Sequence, residues 1–141
     1  MIRITLKLDE NRKHHTTLSL PILERTKSRQ RVKLDDGREA GLFLPRGEIL
    51  REGDLVMSSD GIVVKIIASL EKVSTVTSSN TKDIVRAAYH LGNRHILVQV
   101  EDGWLRYQHD HVIDSMLRDL GMNIKLENAP FEPESGAYSK S

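Results

Sequence analysis

The chain contains no cysteine. That absence removes disulfides, thiolate nucleophiles and Cys-rich zinc centres together, and leaves imidazole, carboxylate and backbone oxygen to bind any metal. Aromatic residues are scarce, at two Phe, three Tyr and one Trp, so the core must be mainly aliphatic. No apolar run approaches the roughly 20 residues that span a bilayer. The N-terminal MIRITLKLDE carries charge every few residues where a signal peptide would be apolar, and we expect a cytoplasmic protein. An excess of one charge is missing too: the net charge of +1 gives no strong field to attract nucleic acid or an anionic membrane. What is present, 141 residues with 38% hydrophobic and 29% charged side chains, is the composition of an ordinary globular protein of one or two domains.

The N-terminal half breaks into short segments rich in Val, Ile, Leu and Thr. Turn signals separate them at Asp36-Gly37, Pro45-Arg46-Gly47, Glu52-Gly53-Asp54 and Asp60-Gly61. Ile2, Ile4, Leu6 and Leu8 alternate with polar residues, the period-2 pattern of a strand with one buried face. Gly61 to Ile67 is nearly continuously apolar, as in a strand covered on both sides. Residues 1–69 therefore read as a small all-β domain. Arg25, Lys27, Arg29, Arg31 and Lys33 also alternate, and on a strand they would form one basic face, either solvated or docking an acidic partner.

After Ser69 the period changes. A strand near Leu70 to Thr77 precedes Asn80, a capping residue, and Ile84, Ala87, Ala88 and Leu91 then follow at helical spacing. With Gly92 suited to the position just past the end, the spacing predicts a helix over 81–91. Strands are expected over His95–Glu101 and Trp104–Tyr107, joined at Asp102-Gly103, a dipeptide favoured in type I′ turns. Asp110 can cap a second helix carrying Val112, Ile113, Met116, Leu117 and Leu120, ended by Gly121, and Asn123–Glu127 reads as a last strand. The order β-α-β-β-α-β is the split βαβ or ferredoxin-like arrangement, giving an α+β protein whose second domain covers 70–141. From Asn128 onward no periodicity remains, and the tail is expected to wrap or fray.

Four of the six histidines, His90, His95, His109 and His111, fall within 22 residues of this second domain. His90 lies in the last turn of the first helix, where the macrodipole alone favours a histidine. His95 opens the strand after it. His109 and His111 flank Asp110, and they too can be read as solvated junction residues. No set has the i, i+4 geometry of a helical HExxH site or the compact ligands of a structural zinc centre. An isologous dimer would double the ligand count at its two-fold axis. Imidazole with oxygen suits Ni²⁺, Cu²⁺ and Zn²⁺, so residue type does not choose among them. His14 and His15 sit in a polar loop and are expected to be solvated.

The run Ala87-Ala88-Tyr89-His90-Leu91-Gly92-Asn93-Arg94-His95, with Val98-Gln99 and Asp110-His111-Val112, resembles the UreE family of urease accessory proteins, which are nickel metallochaperones. So do Gly41-Leu42-Phe43-Leu44-Pro45-Arg46-Gly47, Gly53-Asp54 and the terminal Pro130-Phe131-Glu132-Pro133-Glu134-Ser135-Gly136-Ala137-Tyr138. The resemblance implies a β-rich N-terminal domain for partner or peptide binding and a ferredoxin-like domain for metal binding and homodimerisation. It implies that His95 is the central Ni²⁺ ligand, given by both subunits, that His109 and His111 are peripheral metal-binding residues, and that His90 lies nearby. It further implies that Zn²⁺ or Cu²⁺ can substitute in vitro, and that nickel passes towards the urease apoprotein complex through the GTPase UreG. Many family members end in a histidine-rich tail, whereas this sequence ends Tyr138-Ser139-Lys140-Ser141, which argues against a storage role.

Two alternatives fare worse. An RNA-binding RRM shares the element order but needs stacking aromatics and a Lys/Arg-Gly-Phe run, and His95-Ile-Leu-Val-Gln-Val offers neither. A metal-dependent hydrolase would need a general base and a substrate-cradling loop, and the sequence shows no phosphate-binding glycine loop and no Gly-x-Ser-x-Gly elbow. The sequence reads as a non-catalytic carrier.

Overall fold

The computed structural model describes residues 1–134, so the Ser135-Gly136-Ala137-Tyr138 part of the terminal run lies outside the described residues. The chain forms two compact units, one of residues Met1–Ser69 and one beginning at Leu70. Its class is α+β, with strands predominating.

The first unit holds six strands: β1 (Ile2–Leu8), β2 (Thr16–Leu20), β3 (Arg29–Lys33), β4 (Glu39–Phe43), β5 (Leu55–Ser58) and β6 (Val63–Ala68). They form one mixed sheet in the order β2-β6-β5-β1-β4-β3. The sheet nearly closes on itself. Just past β3, the Asp35 N–H donates to Thr17 O at 2.9 Å, and its carboxylate accepts the hydroxyls of Thr17 (2.6 Å) and Ser19 (2.9 Å) on β2. Ile4, Leu18, Leu34, Leu42, Leu50, Val56, Val64 and Ile66 fill the interior.

Three local expectations fail here. Ile4 is buried, but Leu6, two residues on, is 49% exposed. The pairing of β1 with β5 slips between Ile4 and Leu6, and one inserted residue exchanges the inward and outward faces of everything beyond it. The domain is not purely β, because one helical turn, α1 (Ile22–Arg25), interrupts it. That turn removes Arg25 from the basic stripe: its side chain is fully buried, donating from Nε to Leu20 O (3.0 Å) and from Nη1 to Leu50 O (3.1 Å). Arg29, Arg31 and Lys33 do alternate outward along β3.

The second unit runs β7 (Glu71–Thr77), α2 (Thr81–Asn93), β8 (Gln99–Glu101), β9 (Trp104–Gln108), α3 (His111–Asp119) and β10 (Asn123–Ala129). All strand pairs are antiparallel, in the order β10-β7-β9-β8. The Asn80 side chain caps α2 by accepting the Lys82 N–H, and Asp110 caps α3 by accepting from Val112 and Ile113. Each helix buries its apolar stripe, Ile84, Ala87 and Leu91 on α2 and Leu117 on α3, against Val76, Leu105 and Tyr107 of the sheet. At the β8–β9 hairpin only Gly103 has positive φ (81°), whereas type I′ requires it at Asp102 as well. The tail wraps. Phe131 is fully buried, and the Glu132 and Glu134 N–H groups donate to Gln99 Oε1 (2.9 Å) and Val98 O (2.8 Å).

Candidate metal centre

The site begins with how α2 ends. Gly92 was expected just past the helix, yet the helix runs through it to Asn93. The residue that takes the left-handed conformation is His95, at φ 59°, the one non-glycine residue with positive φ among the described residues. Its N–H donates to Gly92 O (3.0 Å), and the Ile96 N–H donates to Leu91 O (3.1 Å), the paired bonds of a Schellman end. Such an end is completed by apolar contact between the residue after the left-handed one and the last buried residue of the helix. Closing at Gly92 would have put polar Asn93 in that place. Closing at His95 puts Ile96 there, packed against the cluster that holds Leu91. The same turn consumes the start of the expected strand, which is why β8 begins only at Gln99.

His95 is exposed and held by backbone bonds rather than by its ring. A non-glycine residue in this region costs on the order of 1 kcal/mol or more, although His tolerates it better than most. Its imidazole therefore leaves a rigid backbone position and projects from the surface of the unit.

His109 follows β9 and is fixed differently. Its backbone N–H donates to Lys72 O at 3.0 Å. Its ring Nδ1 lies 3.1 Å from Asp114 Oδ2 and 3.3 Å from Ser74 Oγ. Asp114, on the first turn of α3, is buried, and its other oxygen accepts the hydroxyl of the fully buried Tyr107. Burial, first, and the adjacent Asp114 carboxylate raise the Tyr107 phenol far above its usual pKa, so Tyr107 is a permanent donor in this network. Neither Tyr107 nor Asp114 was a candidate site residue in the sequence, where Tyr107 only closes an expected strand. The available signal was an acid at 114 on the stripe of Ile113, Leu117 and Leu120.

The four histidines are not gathered into one ligand set. Ile96 and Leu97, directly after His95, line a cleft of about 320 Å³ together with His109 and Asp110. His90, half-buried and edge-on to the Tyr89 ring (centroids 5.3 Å apart), lines a separate groove with Arg94, Val112 and Met116 between α2 and α3. His111 is exposed at the start of α3. Among the described residues, no three His, Asp or Glu side chains come together as a metal cage. His15 is exposed, but it is not merely solvated, because its Nδ1 accepts the Val63 N–H at 2.9 Å.

Beside these residues lies unpartnered apolar surface. Val85 and Tyr89, one turn apart on α2, are 60% and 66% exposed, and Val112 on α3 is 63% exposed. Side chains of this size are ordinarily exposed singly rather than along one helix pair.

Comparison with known proteins covers both units. A family model described as UreE urease accessory protein, N-terminal domain, matches residues 3–69, and its C-terminal domain counterpart matches residues 71–141. The urease accessory protein UreE of Pseudomonas putida (strain W619) is 53% identical over 142 residues, covering 100% of this chain and 88% of its own. That of Aliivibrio fischeri (strain MJ11) is 55% identical over 125 residues, covering 89% and 77%. That of Shewanella halifaxensis (strain HAW-EB4) is 49% identical over 138 residues, covering 98% and 80%.

Proposed function

Because the chain belongs to the UreE family of urease accessory proteins, a chaperone family and not an enzyme, we propose that it is a homodimeric nickel metallochaperone that delivers Ni²⁺ for assembly of the urease metallocentre. The observation that carries this reading is His95: an exposed imidazole on a backbone position that glycine would occupy at less cost. In an isologous dimer two such residues meet at the axis and supply the ligands that one chain lacks. The exposed Val85, Tyr89 and Val112 surface supports a second copy of this unit as the dimer partner.

In this reading the first unit receives protein partners, and the second, whose strand order and β-α-β-β-α-β connectivity fit a ferredoxin-like arrangement, binds metal and dimerises. His109 lines one cleft with the residues after His95 and serves as a peripheral ligand, as does His111 at the start of α3. His90 faces the α2–α3 groove and has the weakest claim. Few imidazoles with water in the remaining positions suit a carrier, since micromolar retention needs only about −8 kcal/mol and leaves ligand exchange open. The GTPase UreG and the urease apoprotein complex are the proposed recipients, and the cytoplasm the proposed compartment. Nickel titration by calorimetry, with mass followed by light scattering, tests this. One ion per dimer is expected, lost in His95→Ala while the dimer persists; wild-type affinity in His95→Ala would overturn the assignment.

A further inference from the structure

We propose that Asp114 is the positioning residue of His109: it holds the imidazole with its proton on Nδ1, so that Nε2 is the nitrogen presented to a metal ion. This rests on the reading of His109 as a metal-binding residue. A neutral imidazole carries one proton, and the nitrogen without it is the one able to ligate. Asp114 decides which nitrogen that is. Its carboxylate is 1% exposed and has two oxygens to satisfy in a place where water does not reach them. Tyr107 fills one, its hydroxyl donating to Oδ1. The other oxygen, Oδ2, lies 3.1 Å from His109 Nδ1, and an unprotonated Nδ1 there would set its lone pair against those of that oxygen. Nδ1 must therefore be the donor, which leaves Nε2 unprotonated on the opposite side of a ring whose side chain is 23% exposed.

Ser74 Oγ, at 3.3 Å from Nδ1, closes the inner side of the ring, and the His109 backbone is pinned to Lys72 O. The imidazole is thus oriented from both ends before any metal arrives. A carboxylate that orients a ligating histidine through its other nitrogen is a general device of metal sites, and removing it typically weakens metal binding by about 10–100-fold. A purely structural Tyr107–Asp114 pair would not require an imidazole at the mouth of the cleft.

The test uses the full-length protein. Long-range ¹⁵N–¹H NMR of the metal-free wild type at about pH 8, where an ordinary imidazole is neutral, is expected to show His109 protonated on Nδ1. Asp114→Asn is expected to redistribute that proton between the two nitrogens and to weaken Ni²⁺ binding, read by calorimetry, about 10–100-fold. In a His109→Ala background the same substitution should change the affinity no further. An Nε2-protonated His109 in the wild type overturns the proposal with no variant needed. Weakening by Asp114→Asn that persists without His109 overturns it as well, since the effect would then be one of folding. Unchanged Ni²⁺ affinity in His109→Ala would instead remove the underlying reading of His109 as a ligand, and the positioning role with it.

Discussion

His95 and Gly121 occupy the same place in the two helices of one unit. Each stands first past a Schellman end with left-handed backbone, φ 59° and 92°, and each is followed by an apolar residue, Ile96 or Met122, that packs into the common core. The Gly121 and Met122 N–H groups donate to Arg118 O (2.9 Å) and Leu117 O (3.0 Å), repeating the pattern at His95. One helix ends on the residue that fits this conformation most cheaply, and the other ends on a histidine.

From that pair follows a separation of stability from binding. His95→Gly removes the Cβ strain and should be more stable than His95→Ala by about 1 kcal/mol, with urea midpoints as the measure. Both variants should lose the Ni²⁺ site equally. A His95→Gly protein less stable than His95→Ala would contradict the backbone assignment.

Tyr107→Phe keeps the ring in the core but strips Asp114 Oδ1 of its donor. Leaving a buried acceptor unsatisfied should cost about 1–3 kcal/mol in chemical denaturation. A cost near zero would mean that water enters the Ser74–Tyr107–Asp114 pocket.

The acid limb of stability should report Glu127. The Thr75 hydroxyl (2.6 Å), then Lys125 and Arg106, hold its carboxyl below the usual glutamate range. A depressed folded value means that the unfolded chain takes up the proton first. The contribution is present above the unfolded value, about 4.3, and fades as pH falls through the lower folded value. Glu127→Gln should therefore lower the melting temperature at neutral pH, with the gap from wild type closing as pH falls below the unfolded value of about 4.3. A gap of constant size would exclude this carboxylate as the source.

Val85→Glu places a charge on apolar surface that is already 60% exposed, so folding should be unaffected within about 0.5 kcal/mol. If α2 meets a second copy, light scattering should show the dimer shifting to monomer. A stable Val85→Glu dimer would move the proposed interface elsewhere.

The parts legible in the sequence were those governed by local chemistry. Asn80 and Asp110 cap where side-chain oxygens followed by apolar periodicity say they should, and the inward stripe of α2 is the one read from spacing. What stayed hidden depends on neighbours distant in the chain. Nothing local marks the slip between Ile4 and Leu6, which is set by the partner strand β5. Arg25 looked like one more surface cation, yet it is buried with its guanidinium donating to the carbonyls of Leu20 and Leu50. His95 was picked out as a ligand through family resemblance, but its left-handed backbone depends on Ile96 outcompeting Asn93 for the place after the helix end. Asp114 reads as an acid in a helix's first turn, favoured there by the macrodipole, until Tyr107 and His109 arrive from β9.

The Asp35 seam limits the open edge of the first unit. An open six-stranded sheet exposes two rows of unused backbone donors and acceptors, a template on which stray strands polymerise. Drawing β2 and the end of β3 together at Thr17 and Ser19 shortens both rows. The backbone and the carboxylate of one aspartate together leave less open edge on which a stray strand could add.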